Sequence, residues 1–392
     1  MRPTTAITPF TVALVACLTA PVGLDQGASA WPPPTASIIA IAAGDLDADG
    51  DDDLIAVDVA GGRIYLLLGG VDVVPSRAAV TTASRSVALP GLRAPVAVVV
   101  AVATRSVVVF DSPAAGPRLT VFDAQLTETA QATVPIPAPG PGTTATLTPS
   151  TFGPAMNTIF GSVPNAVFYF EPDGIGDTPP LIAVLPQAGA IPFAAVASAS
   201  GFVIPGNPAT PRVFVSEPMR TQRADTSAPG VFTWTTVRSG MEWSAQTVAD
   251  VTGDSFPDVV GFAPEGGAAA KLCVLDVQAG TTPPCFDTPF GMDTAALAVG
   301  GVVQPAQTDV VLLHVPPGGG QASLFVAPRI RIMGGNVVAD NVSAPASFTI
   351  VAPLLALAQL DGVGGREIVL VGRDGNVICA RASGSLPVRC AP

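Results

Sequence analysis

The sequence predicts an all-β protein, a β-propeller of seven four-stranded antiparallel blades. Three observations predict it. Short apolar runs ending in Gly- or Pro-containing turns recur along the chain, an acidic loop motif returns at multiples of one spacing, and no stretch suits a long helix. Gly 40 and Pro 41 make up about a fifth of the 392 residues, so few segments escape a helix breaker for the length of a helix. Val- and Ala-rich runs between turns read instead as short buried strands.

The N-terminus comes first. Arg2, the apolar stretch Phe10 to Ala20 and the small-residue site Ala28-Ser29-Ala30 have the layout of a secretory signal over residues 1–30. A competing reading takes Leu14-Val15-Ala16-Cys17 as a bacterial lipobox, with Cys17 as the lipid anchor. Either reading places the mature chain, 31–392, outside the cytoplasm: secreted, periplasmic or lipid-anchored at the cell surface. Mean hydropathy is +0.51 with 48% hydrophobic residues. Even so, the longest apolar runs beyond the signal, such as 95–104 and 350–358, are half the ~20 residues of a membrane-spanning helix. Tyr 2 and Trp 3 are too few for the aromatic girdles of a membrane barrel. A net charge of −12 with Lys271 as the single lysine excludes a nucleic-acid-binding face.

The first strand pair flanks the most informative segment. Gly44 to Ile55 reads Gly-Asp-Leu-Asp-Ala-Asp-Gly-Asp-Asp-Asp-Leu-Ile, with six aspartates between Asp45 and Asp53 in a chain only 12% charged. Carboxylates this close repel one another, and a bound cation relieves that repulsion. Asp45, Asp47 and Asp49, then Gly50, then Asp53, suit a hard cation taking oxygens from alternate residues of a tight loop, calcium first among them. An EF-hand would need an acid at the twelfth position, where Ala56 stands, and helices on both sides.

The loop returns at Ala249-Asp-Val-Thr-Gly-Asp-Ser-Phe-Pro-Asp-Val-Val260 and, more weakly, at Ala358-Gln-Leu-Asp-Gly-Val-Gly-Gly-Arg-Glu-Ile-Val369. The starts at 45, 250 and 359 are 205 and 109 apart, close to four and two units of roughly 52, near the length of blade repeats. Units without acids repeat the apolar strand, turn, apolar strand pattern: 107–110 with 119–122, 166–169 with 181–184, 213–215 with 231–234, and 310–313 with 322–325. Seven anchors result, near 54, 107, 166, 213, 259, 310 and 368. No such unit buries both faces alone, so the units pack on each other, and radial closure removes the open edges. Because 123–160 parses poorly, six or eight blades stay open.

The cysteines keep the same phase. Cys273 and Cys285 are twelve apart, Cys379 and Cys390 eleven apart, and each pair flanks a turn-rich segment. In an oxidising compartment these read as two hairpin disulfides worth about 3 kcal/mol each.

At its acidic loops the chain resembles the FG-GAP or VCBS repeat family, whose repeats approach Gly-Asp-hydrophobic-Asn-Gly-Asp-Gly-x-x-Asp-Leu-hydrophobic. That resemblance covers three of the seven units. It implies an integrin-α-like propeller with calcium between the first two strands of a blade. The first site would use the side chains of Asp45, Asp47, Asp49 and Asp53 and the carbonyl of Asp51. The second would use Asp250, Asp254 and Asp258, the Thr252 hydroxyl and the Phe256 carbonyl. In the third, Gln359 and Val363 replace ligands, leaving Asp361, the Gly365 carbonyl and Glu367. Affinity follows charged-ligand count, so the first site is expected to be the tightest and the third weak or empty.

Catalytic signals are sparse. His314 is the single histidine and sits in an apolar run as a strand residue, and no nucleophile elbow, phosphate loop or zinc motif occurs. Trp31, Trp234 and Trp243 read as packing residues before sugar platforms. The expectation is a non-enzymatic, monomeric, calcium-binding propeller acting as a binding, adhesion or scaffold module for an extracellular protein or glycan. The alternative is a secreted glycan-active enzyme, a lyase or hydrolase, on the same scaffold.

Overall fold

A computed structural model describes residues 36–389 apart from 71–83, 141–142, 150–157, 171–181, 186–195, 197, 205–209, 219, 229–230, 240–241, 264–268, 279–282, 291–294, 317–320, 341, 343–344, 361–364 and 384–385. The signal segment, Cys17, Trp31, Asp361 and Cys390 lie outside the described residues.

Seven four-stranded antiparallel sheets follow one another along the chain. Blade 1 comprises Ile38–Gly44, Asp53–Asp58, Arg63–Leu67 and Ser84–Ala88, and blade 2 Ala97–Ala101, Ser106–Asp111, Arg118–Phe122 and Glu128–Thr133. Blade 3 comprises Thr146–Pro149, Ile159–Val163, Ala166–Phe170 and Ile182–Leu185. Blade 4 has the longest strands, Ser198–Ile204, Thr210–Glu217, Arg220–Ala228 and Val231–Ser239. Blade 5 comprises Ala245–Ala249, Asp258–Ala263, Lys271–Leu275 and Cys285–Asp287. Blade 6 comprises Ala295–Gly300, Asp309–His314, Ala322–Ala327 and Ala346–Phe348, with a small hairpin (Arg331–Met333, Asn336–Val338) inserted before its last strand. Blade 7 comprises Leu354–Ala358, Glu367–Val371, Val377–Ser383 and Leu386–Arg389. No helix occurs among the described residues, so none is long and apolar enough to cross a membrane.

The first strand of each blade lies beside the first strands of both neighbours, and that of blade 7 lies beside that of blade 1. The ring is therefore closed, and the fold is the seven-bladed propeller that the repeat spacing implies. Its core is divided among the seams. Ile55, Val57 and Leu66 of blade 1 meet Val98, Val107 and Val109 of blade 2, and equivalent clusters fill each later seam. The last one joins Ile38, Leu54 and Leu67 of blade 1 to Leu360, Val369 and Val371 of blade 7.

This arrangement explains the sequence pattern. A second strand has a neighbouring blade on each face, so Asp53–Asp58, Ser106–Asp111, Asp258–Ala263 and Glu367–Val371 are buried at every position. Such strands read as continuous apolar runs and not as alternation.

Two blades are phased differently from the sequence expectation. The pair 166–169 with 181–184 forms the third and fourth strands of blade 3, and its second strand is Ile159–Val163. That strand carries Gly161 and Ser162, which shorten its apolar run; a Cβ at Gly161 would overlap the ring of Phe168 across the pair. In blade 4 the partner of Thr210–Glu217 is Arg220–Ala228, and 231–234 belongs to the outer strand. Arg-Thr-Gln-Arg-Ala-Asp-Thr-Ser-Ala reads as a loop by composition, but its place between two strands satisfies its backbone and buries Thr221 and Ala224.

The cysteine phase agrees with expectation. Cys273 and Cys285 face each other on the third and fourth strands of blade 5 and are disulfide-bonded. Cys379 is on the third strand of blade 7 and is disulfide-bonded as well.

Candidate metal centre

The loop between the first two strands of blade 1 is built by its own aspartates. Asp45 Oδ1 accepts from Ala48 N (2.6 Å), Asp47 Oδ1 from Asp49 N (3.2 Å) and Asp49 Oδ1 from Asp51 N (2.9 Å). These local side-chain to backbone bonds fold the chain back on itself. Ala48 and Gly50 take positive φ, 66° and 98°, to complete the turn.

The loop of blade 5 repeats the construction at an offset of 205. Asp250 Oδ1 accepts from Gly253 N (2.7 Å), Asp254 Oδ1 accepts from Phe256 N (2.8 Å), and positive φ falls on Gly253 and Ser255. The two segments thus share these two hydrogen bonds and both positive dihedrals at equivalent positions.

Convergence separates them. Carboxylate oxygens of Asp45, Asp47 and Asp49 lie within 4.8 Å of one another, about twice the metal–oxygen distance of a calcium site. Asp250, Asp254 and Asp258 form no such group, since both oxygens of Asp250 are turned to the backbone of Gly253 and Ser255. Asp51 and Phe256, whose carbonyls are the expected ligands, close the Asx turns by donating their N–H groups to Asp49 Oδ1 and Asp254 Oδ1. Thr252 donates its N–H to Asp258 Oδ2 (2.9 Å). Gly365 is packed against the backbone of Val302 and Gly301 in blade 6.

The last acid of each loop has a second task. Asp53 Oδ2 accepts from Leu46 N (2.7 Å), Asp258 Oδ2 from Val251 N (2.9 Å), and Glu367 Oε2 from Leu360 N (2.9 Å). All three acids are buried, and each bond spans seven residues. Asp53 Oδ1 also accepts from Gly69 N (2.8 Å). A carboxylate oxygen has two lone pairs, so this pinning leaves capacity for a cation.

Blade 6 shows the pin without the metal loop. Asp309, fully buried, accepts from Val302 N (2.8 Å) and Val303 N (2.7 Å) through Oδ2 and from Arg329 N (2.7 Å) through Oδ1. No other acid occurs between Gly300 and Asp309. Sequence reasoning missed Asp309, although Asp-Val-Val at 309–311 repeats Asp-Val-Val at 258–260.

Asp52, also missed, joins the ends of the chain. Its N–H donates to Gln359 O (2.6 Å) and its Oδ2 accepts from Gln359 N (2.8 Å), while Gly70 N donates to Leu360 O (2.8 Å). Gln359, which stands in place of a ligand in the third loop, therefore serves the seam between blades 7 and 1.

Burial dominates the electrostatics. It pushes the carboxyl of Asp53 up to about 6, aided by the charges of Asp47 and Asp49 and opposed by the N–H groups of Gly69 and Leu46. Burial likewise raises Asp258 to about 6, against the N–H groups of Thr252 and Val251. Asp47 is raised too, by desolvation and then by Asp49 and Asp45. The sign follows. Between the unfolded value near 4 and about 6, the folded metal-free protein binds more protons than the unfolded chain, so its stability falls as pH rises. Melting in metal-depleted buffer should therefore show a Tm that declines from about pH 4 to about pH 7. A bound cation favours the carboxylate forms, so added calcium should raise Tm more at neutral pH than at about pH 5.

The remaining sequence candidates have packed surroundings. His314 ends the second strand of blade 6, stacked on Phe290 at 5.1 Å. Trp243 is fully buried, and Trp234 is half-buried against the cluster that fills the seam of blades 3 and 4.

No protein-family model and no curated protein matches the chain. Among solved structures it is similar to a Kuenenia stuttgartiensis hydrazine synthase at 13% identity and TM-score 0.55, over 89% of this chain and 96% of that one. It is also similar to AofleA from Arthrobotrys oligospora (11% identity, TM-score 0.48, covering 76% and 85%). A third is the six-bladed fungal lectin of Aleuria aurantia (11% identity, TM-score 0.42, covering 81% and 97%). At such identities the first likeness bears on fold alone, and the other two, at lower TM-scores, add no argument.

Proposed function

We propose that this propeller is an extracytoplasmic, calcium-stabilised binding module of the FG-GAP/VCBS type, non-catalytic, presenting its loops to a protein or glycan. The observation that carries the calcium assignment is the convergence of Asp45, Asp47 and Asp49 in a loop whose backbone design recurs in blade 5. The donor set is all oxygen and all carboxylate, which suits calcium over softer metals. Asp45, Asp47 and Asp49 would hold the ion, with Asp53 beneath them, and the ion would offset the mutual repulsion of the three charges. Its role is then to fix the connection between the first two strands of blade 1, beside the Asp52 bridge to blade 7.

The binding role rests on the inventory. The obvious acids are used as loop-builders and strand pins, and the single histidine is stacked in a seam. Comparing calcium with magnesium in thermal melts of the wild type and Asp45→Ala tests the metal assignment. The wild type should be raised by calcium in preference to magnesium, and the variant should lose that rise. A glycan and protein array probed in calcium tests the binding role. Turnover of any glycan on the array would replace binding with catalysis.

A further inference from the structure

We propose that the central channel of the ring is a binding site for a small organic carboxylate with an apolar body. The site is distinct from the Asp45, Asp47 and Asp49 cluster, although Arg366 comes from the third acidic loop, and it goes beyond the module reading above. A cavity of about 440 Å³ opens among the first strands of blades 3 to 7, within the roughly 300–1,000 Å³ of small-molecule sites. Leu297, Val299, Leu357 and Val248 give it apolar walls, and Thr247 and Gln246 add polar groups.

Among the described residues Arg366 is the one charged side chain on this lining, in a chain whose net charge is −12. It leaves the loop just before the second strand of blade 7 and lies across Gly300 of blade 6. A Cβ at Gly300 would stand 3.3 Å from its Cδ and 3.8 Å from Nη1. The absence of a side chain at Gly300 therefore makes the room in which the guanidinium rests. Its Nε is 3.9 Å from Asp52 Oδ2, too far for a hydrogen bond, and Oδ2 is already engaged by Gln359 N. Among the described residues the guanidinium makes no hydrogen bond, and the residue is about half exposed. A planar fork of N–H donors with no acceptor, set at an apolar cavity, matches a carboxylate.

A second polar residue with an unpartnered atom lies on the same lining. Gln246 is nine-tenths buried, and its Nε2 donates to Phe214 O (3.0 Å), yet its Oε1 has no partner. That oxygen is enclosed beside the lining, so it marks a polar group held at the wall and not a direct ligand contact.

The test is calorimetric titration of the full chain in calcium with phenylacetate and its neutral isostere phenylacetamide. The wild type should bind phenylacetate saturably and at least about tenfold more tightly than the amide, as expected for charge-assisted hydrogen bonds. Arg366→Gln should remove that preference while the melting transition stays cooperative, and Arg366→Lys should keep part of it. Ala298→Phe, which fills the channel while leaving Arg366 in place, should block both ligands. No saturable binding by the wild type, equal binding of acid and amide, or undiminished binding in Arg366→Gln would each overturn the proposal.

Discussion

Replacing Asp309 by alanine is expected to cost roughly 3–5 kcal/mol, among the largest effects of any single polar substitution in this chain. The buried carboxylate accepts three backbone N–H groups, those of Val302, Val303 and Arg329. Alanine leaves all three donors without a partner where water does not reach, and each such loss costs about 1–3 kcal/mol. Asparagine keeps one acceptor oxygen and should recover part of the loss. Chemical denaturation read by intrinsic fluorescence measures it. The same loss should appear with and without calcium, because the blade 6 loop has no acid besides Asp309. Equal stability of wild type and Asp309→Ala would show that the pin is dispensable.

The second large effect is steric. Gly261 lies mid-strand in blade 5, and a Cβ there would overlap the ring of Trp243. Trp243 is not free to retreat. It is fully buried, its backbone N–H donates to Ser216 Oγ (2.7 Å), and its backbone carbonyl accepts from Ser198 Oγ. Its ring packs with Phe202 and Phe214 in the seam between blades 4 and 5. Gly261→Ala should therefore destabilise by about 3 kcal/mol, the upper part of the range for overpacking. In a Trp243→Ala background the ring is gone from that space, so Gly261→Ala should cost distinctly less. Strict additivity in this double-mutant cycle would contradict the contact.

How legible each part was depends on the physics that writes it. Second strands buried on both faces give unbroken β-branched runs, and an acid before such a run marks where the loop ends. That made blades 1, 5 and 7 readable from Asp53, Asp258 and Glu367. Blade 3 was misphased because Gly161, required by Phe168, breaks the run. Blade 4 was misphased because a polar strand shielded by its neighbours looks like a loop. The local turns of the acidic loops were foreseeable, since each bond spans two or three residues. The Asp52–Gln359 bridge spans 307 residues and depends on ring closure. The channel is hidden for a similar reason: Gly300, Gln246 and Arg366 carry no shared motif and meet only when five blades are arranged around a centre.

The central claim is that the first acidic loop holds calcium and that the ion stabilises the ring. It is tested most directly by thermal melting at neutral pH of wild type, Asp47→Ala and Asp309→Ala, each with saturating calcium and in chelator. Occupancy at about a hundred times Kd adds roughly 2.7 kcal/mol. Wild type and Asp309→Ala should each gain a rise in Tm of several degrees from calcium, the latter from a lower baseline, while Asp47→Ala gains little. A wild-type Tm identical in calcium and chelator, or a calcium response retained in full by Asp47→Ala, would contradict the account.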